Sequence, residues 1–177
     1  MAIQRLNHAV LYVRNVEKSV AFYTDVLGFR TVMQMGSAAA FLQASASTND
    51  HDLGLFQLGD AGPIDQAGHS DAGARTVGLY HLAWEVQTLR DLAEISQKLT
   101  AAGALVGASD HGSTKSLYGK DPDGLEFEIV WLIPLHLLDD AAIEASKSIR
   151  ALNLQAEIDR YGIDTPSGTG VSSPAHA

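Results

Sequence analysis

In the stretch HGSTKSLYGKDPDGLEFEIVW, residues 111–131, Glu126 and Glu128 alternate with Leu125, Phe127, Ile129 and Trp131. Strict alternation describes a half-buried strand with its apolar side against a core. The other side carries two carboxylates, with His111 and Tyr118 a few residues upstream. Taken alone, a solvated strand face explains those carboxylates better than a site does. Two histidines elsewhere change the balance. His8 lies in RLNHAVLYV and His81 in GLYHLAWEV, at matching places in two similar segments. His8, on a mostly apolar face with Leu6 and Val10, reads alone as a packed histidine, while His81 shares its face with Ala83 and Glu85; each is a weak signal by itself. Two imidazoles and one carboxylate on one side of an ion leave its other positions open, and such a set suits Fe(II) or Mn(II) chemistry with oxygen.

The elements that must position these groups form a repeat. RLNHAVLYV reads as a strand, and NVEKSVAFYTDVLGF as a helix capped by Asn15 and ended by Gly28. Val16, Val20, Tyr23 and Leu27 stripe that helix, and FRTVMQM, AAAFLQAS and DLGLFQL follow as short strands. The order then recurs: GLYHLAWEV, a helix TLRDLAEISQKLTAAG opened by the Thr88-x-x-Asp91 box, then ALVGAS, TKSLYGK and LEFEIVW. A DPDG turn with Pro122 precedes the last strand. The chain is therefore a βαβββ unit written twice. The fold class expected is α+β, with modules over about 3–58 and 77–133 forming a half-open, barrel-like sheet. A polar, Gly-rich connector covers 59–76. A pseudo-twofold pairing of the modules would bring the two histidines to Glu128. Aligning HDLGLFQL with PDGLEFEI sets Gln57 against Glu128, so the first module offers a neutral amide where the second offers a ligand. Three protein ligands are expected rather than four.

Composition narrows the partners. With 177 residues, 46% hydrophobic, the chain can bury a core, and a formal charge of −9 without a basic cluster argues against nucleic acid or anionic lipid. The absence of cysteine removes disulfides, iron–sulfur clusters and thiolate zinc. MAIQRLNHAVLYV shows no leader pattern and no apolar run reaches ~20 residues, so cytoplasm is the expected location. Residues 135–162 are expected to form one C-terminal helix and 163–177 a flexible tail. Ile143, Ile149, Leu152, Leu154 and Ile158 are too many for one narrow stripe, which leaves covering the barrel and joining a homo-oligomer both open.

At these residues the sequence resembles the vicinal-oxygen-chelate superfamily, which includes glyoxalase I, bleomycin-resistance proteins, fosfomycin-resistance enzymes and extradiol dioxygenases. LNHAVLYV and DPDG-x-x-x-E carry the general likeness, over about Ile3 to Trp131. Within the superfamily, DHDLGLF around His51, the DHG turn at His111 and Tyr118 before DPDG are similar to extradiol dioxygenases of the catechol 2,3-dioxygenase type. Leu125 and Glu126 depart from the usual pattern after Gly124, and the connector is longer than expected.

The resemblance implies an Fe(II) enzyme, with Mn(II) as the alternative, that cleaves a catechol-like aromatic diol with O2. His8, His81 and Glu128 would hold the metal. His51 would take a substrate proton and later return one, and an imidazole with an ordinary pKa of about 6.5 can do both near neutrality. His111 and Tyr118 would hydrogen-bond the substrate. Two other readings stay open: a glyoxalase-like metal-dependent lyase or isomerase, and a metal-free protein that binds an aromatic drug.

Overall fold

The computed structural model describes residues 5–61 and 79–168. Most of the expected connector lies outside the described residues. The chain divides into two units, residues 1–67 with 121–124, and residues 68–120 with 125–177.

In the first unit β1 (Ala9–Val13) leads to α1 (Val16–Asp25), then β2 (Arg30–Met35), β3 (Ala39–Gln43) and β4 (Leu53–Gln57). These strands make a four-stranded sheet in the order β1-β4-β3-β2, with β1 and β4 parallel. The Asn15 side chain accepts from the Lys18 amide at 2.7 Å, and Gly28 takes φ +75° just beyond the helix. Val16, Tyr23 and Leu27 are buried with Leu42, Leu53 and Leu55. The DPDG turn belongs to this unit. Gly124 N–H closes it on Asp121 O at 2.9 Å, the Asp121 carboxylate accepts from Tyr23 Oη, and Arg14 pairs with Asp123. Burial and the Asp121 charge push the Tyr23 phenol well above its ordinary pKa.

The second unit repeats the order. It comprises β5 (Leu82–Glu85), α2 (Leu89–Ala101), β6 (Leu105–Asp110), β7 (Thr114–Lys120) and β8 (Glu126–Leu132). The Thr88 capping box forms with both of its hydrogen bonds, and Leu89, Leu92 and Leu99 are fully buried. In β8, Phe127, Ile129 and Trp131 are buried while Glu126 and Glu128 are half-buried, as the alternation requires. Each module thus closes its own sheet.

The C-terminal segment differs from the single helix expected over 135–162. A 3-10 turn at Leu135–Leu137 precedes α3 (Asp140–Ala145), then β9 (Arg150–Ala151) and α4 (Leu154–Tyr161). Asp139 and Asn153 each cap a separate helix. Between the two helices the chain pairs with the open edge of β6, extending the second sheet to β5-β8-β7-β6-β9. The apolar residues that suggested a broad helix face are spread over these elements, so that pattern no longer argues for an oligomer. Residues 163–168, expected to be flexible, are strapped down. Ser167 N–H donates to Gln87 O, Gly168 N–H to Leu132 O, and Trp131 Nε1 to Thr165 O. Among the described residues no helix is long and apolar enough to cross a membrane.

A buried lysine shared by two carboxylates anchors the segment. Lys115 is 2% exposed, and its ammonium lies 2.5 Å from Asp110 and 3.1 Å from Glu157. Burial works to raise the Asp110 carboxyl. The Lys115 hydrogen bond, the Gly112 amide and the Lys115 and Arg150 charges outweigh it and hold the group below the usual aspartate range. A depressed folded-state pKa contributes stability that is complete above the unfolded value, about 3.9, and is lost as pH falls through the folded one. Urea unfolding is therefore expected to show a loss of stability below about pH 4. Asp110→Asn should flatten that part of the profile while lowering stability at neutral pH.

Candidate active site

Parallel pairing gathers the first unit's histidines. β1 and β4 run side by side with Ala9 opposite Leu53, so the residues just before each strand become neighbours. His8 and His51 have ring centroids 4.6 Å apart. His8 is exposed rather than packed in a core, and its Nδ1 meets Asn7 Oδ1 at 2.7 Å. His51 Nδ1 lies 3.1 Å from Asp50, so a proton on Nδ1 leaves Nε2 as the free base. Hydrogen bonds from the His51 backbone and side chain hold the Asp50 carboxyl below its ordinary value. The loop before His51 is organised by buried Asp52, which accepts from Ala44 N–H, Ser47 Oγ and Asn49 Nδ2. The face that carries His8 continues as Val10, Phe41 and Met33, which meet in register through Gly54.

The second unit carries the other four residues. β5 is parallel to β8 with Ala83 opposite Glu128, and β7 is antiparallel to β8 with Tyr118 opposite Glu128. His81 Nε2 stands 3.1 Å from Glu128 Oε2. Tyr118 Oη is 2.9 Å from His111 Nε2 and a longer 3.5 Å from Glu128 Oε1. Burial, then the Glu128 charge, raises the Tyr118 phenol, so it stays a hydrogen-bond donor at neutral pH. The four side chains form one line, His111–Tyr118–Glu128–His81.

Strand register corrects the pairing of Gln57 with Glu128. Glu128 faces the residue two after His81, and the residue two after His8 faces Gly54. The position equivalent to Glu128 therefore has no side chain. Gln57 is spent elsewhere, its Oε1 accepting from Val16 N–H at 2.8 Å in the first turn of α1. The first module offers no ligand at this position, carboxylate or amide.

His81 and Glu128 suit a divalent ion. Two ligands about 2.1 Å from an ion and at right angles stand about 3 Å apart, the spacing of this nitrogen and oxygen. His81 Nδ1 is buried without a hydrogen-bond partner, so the polar contact recorded for the ring runs through Nε2 to the carboxylate. Among the described residues no three His, Asp or Glu side chains gather at a single point. Each unit holds its own part: His8 with His51 in one, His81 with Glu128, Tyr118 and His111 in the other. Asp50, Asp52 and Asp110 are the supporting residues that motif reading passed over, although each stands in the same short motif as a histidine.

A family profile described as the Glyoxalase/Bleomycin resistance protein/Dioxygenase superfamily matches residues 5–129. The chain belongs to this superfamily. A biphenyl-2,3-diol 1,2-dioxygenase of Rhodococcus globerulus is 34% identical over 71% of this chain and 62% of its own length. A manganese-dependent 2,3-dihydroxybiphenyl 1,2-dioxygenase of Geobacillus genomosp. 3 is 27% identical over 73% of the chain and 37% of its own length. A catechol-2,3-dioxygenase of Bacillus subtilis is 26% identical over 70% and 40%. The chain thus spans less than two thirds of each of these curated relatives. Among solved structures, a superfamily domain from Frankia sp. matches 77% of the chain and 98% of its own, with a TM-score of 0.60 and 22% identity. Fosfomycin resistance protein FosX from Listeria monocytogenes matches 73% and 93%, with a TM-score of 0.51 and 18% identity. At such identities the structural likeness concerns the fold alone.

Proposed function

We propose that this protein is an extradiol ring-cleavage dioxygenase acting on a catechol-like aromatic, with His81, Glu128 and His8 as ligands of Fe(II) or Mn(II). The observation that supports the reading most is the line His111–Tyr118–Glu128–His81, in which two hydrogen-bonding groups lie beside the two residues proposed as ligands. The dioxygenase relatives support it, and so does Gly54. A glyoxalase-like lyase generally wants a fourth protein ligand from the first module, and Gly54 has none to give. The His81–Glu128 pair weighs against a metal-free binder.

When bound, the metal would acidify the diol hydroxyls and link the diol electronically to O2. The protein's own groups do the rest. His51 Nε2 accepts a hydroxyl proton while Asp50 holds Nδ1, and the same nitrogen later returns a proton. Tyr118 donates toward the substrate oxygens, and His111 holds the phenol in place. Val10, Phe41 and Met33 offer an apolar surface to the ring. One ring carbon–carbon bond breaks and both oxygen atoms enter the product. Mass spectrometry of the product is expected to give the diol plus one O2; a hydrated or isomerised product would point to the lyase. Tyr118→Phe removes a hydrogen bond worth about 1 kcal/mol and should slow turnover roughly 5-fold without loss of metal, as steady-state rates and metal analysis would report.

A further inference from the structure

The turn that carries His111 is held from outside the repeat. His111 sits between β6 and β7, its N–H donating to Thr114 O at 3.0 Å and its carbonyl accepting from Ser113. Gly112 takes φ +77°, and a Cβ there would fall 2.3 Å from Ser146 N and 2.5 Å from Ala142 O. The C-terminal end of α3 therefore seats directly on the turn. On the turn's other flank, Asp110 accepts from the Gly112 amide at 2.8 Å, Lys115 Nζ at 2.5 Å and Arg150 Nη2 at 2.8 Å. Arg150 belongs to β9, in register with Asp110, while Glu157 of α4 reaches the same Lys115. Arg160 of α4 also donates to Asp139, the cap of α3, which closes the segment on itself.

We propose that the segment from Asp139 to Tyr161 is a positioning element for His111, with Asp110 as the residue through which it acts. The inference rests on the reading of His111 and Tyr118 as substrate-facing groups. Asp110 spends its acceptor capacity on the backbone of the turn and on two cations from either side of it. A shift of β9 or α3 would therefore be felt first at His111 and its 2.9 Å contact with Tyr118. An ångström of misplacement at a catalytic group costs on the order of 10²-fold in rate.

Arg150→Met tests this, because Arg150 is half-exposed and its loss leaves the buried Lys115 pair intact. The readout independent of activity is the tautomer of each imidazole, followed by long-range 1H–15N NMR on the 177-residue chain. In the parent, His111 is expected to show one tautomer fixed by Tyr118. In Arg150→Met it should average between two while His8 and His51 stay as they were, and Arg150→Lys should restore it. With the metal loaded, kcat should fall about 10-fold or more with KM and metal content unchanged. An unaltered His111 signal in Arg150→Met would overturn the proposal. So would a general loss of histidine signals together with a lower Tm, since that indicates support of the fold alone. A parent that cleaves no diol would refute the dioxygenase reading, while the His111 spectra would still decide this one.

Discussion

Replacing Glu128 by Ala is expected to abolish retention of the metal and, with it, ring cleavage. Glu128 lies at the centre of the second unit's line: it faces His81 at 3.1 Å and is the strand partner of Tyr118. Loss of a group that merely supports a ligand already costs about 10–100-fold in metal affinity. Loss of a charged ligand should exceed that, and it also removes the acceptor toward which Tyr118 points. The fold should survive, because the Glu128 side chain is half-buried while the core residues of β8 are Phe127, Ile129 and Trp131. Equilibrium dialysis against Mn2+, with circular dichroism as the folding control, measures this. Parent-like affinity would remove Glu128 from the ligand set.

Replacing His51 by Phe should give the opposite pattern: metal retained and turnover slowed by about 10²-fold or more, the usual contribution of a general acid–base group. The geometry allows the two effects to be separated. The His51 imidazole is oriented by Asp50 and meets Phe41 edge to face, so a phenyl ring fits the same surroundings without contributing a proton acceptor. Metal analysis beside steady-state kinetics distinguishes the outcomes. Unchanged turnover would exclude His51 from the chemistry.

The parts of the molecule governed by local rules were readable in advance. Asn15, Thr88 and Asp91 cap the helices their positions suggest, and the alternation in LEFEIVW matches the burial along β8. His51 and His111 fall at a strand entry and a turn, as the motifs around them indicate. What failed depended on pairing between distant segments. Gln57 looked like the counterpart of Glu128 because the turns before the two strands look alike. Position along β4, however, is set by its parallel partner β1, and that partner selects Gly54. The C-terminal helix failed for a related reason. Arg150 and Ala151 are extended because β6 has an open edge to pair with, and nothing in their own types announces it. Asp110 was visible only as the first letter of a DHG turn. Its engagement with Lys115 and Arg150 requires chain on both sides of that turn to be folded.

Oxygen uptake tests ring cleavage most directly. Protein reconstituted anaerobically with Fe(II) would be given substituted catechols, with uptake and visible absorbance followed together. One O2 is expected to be consumed per diol, with a coloured ring-opened product appearing at the same rate. No uptake across a broad panel, from protein that holds one metal ion per chain, would contradict it.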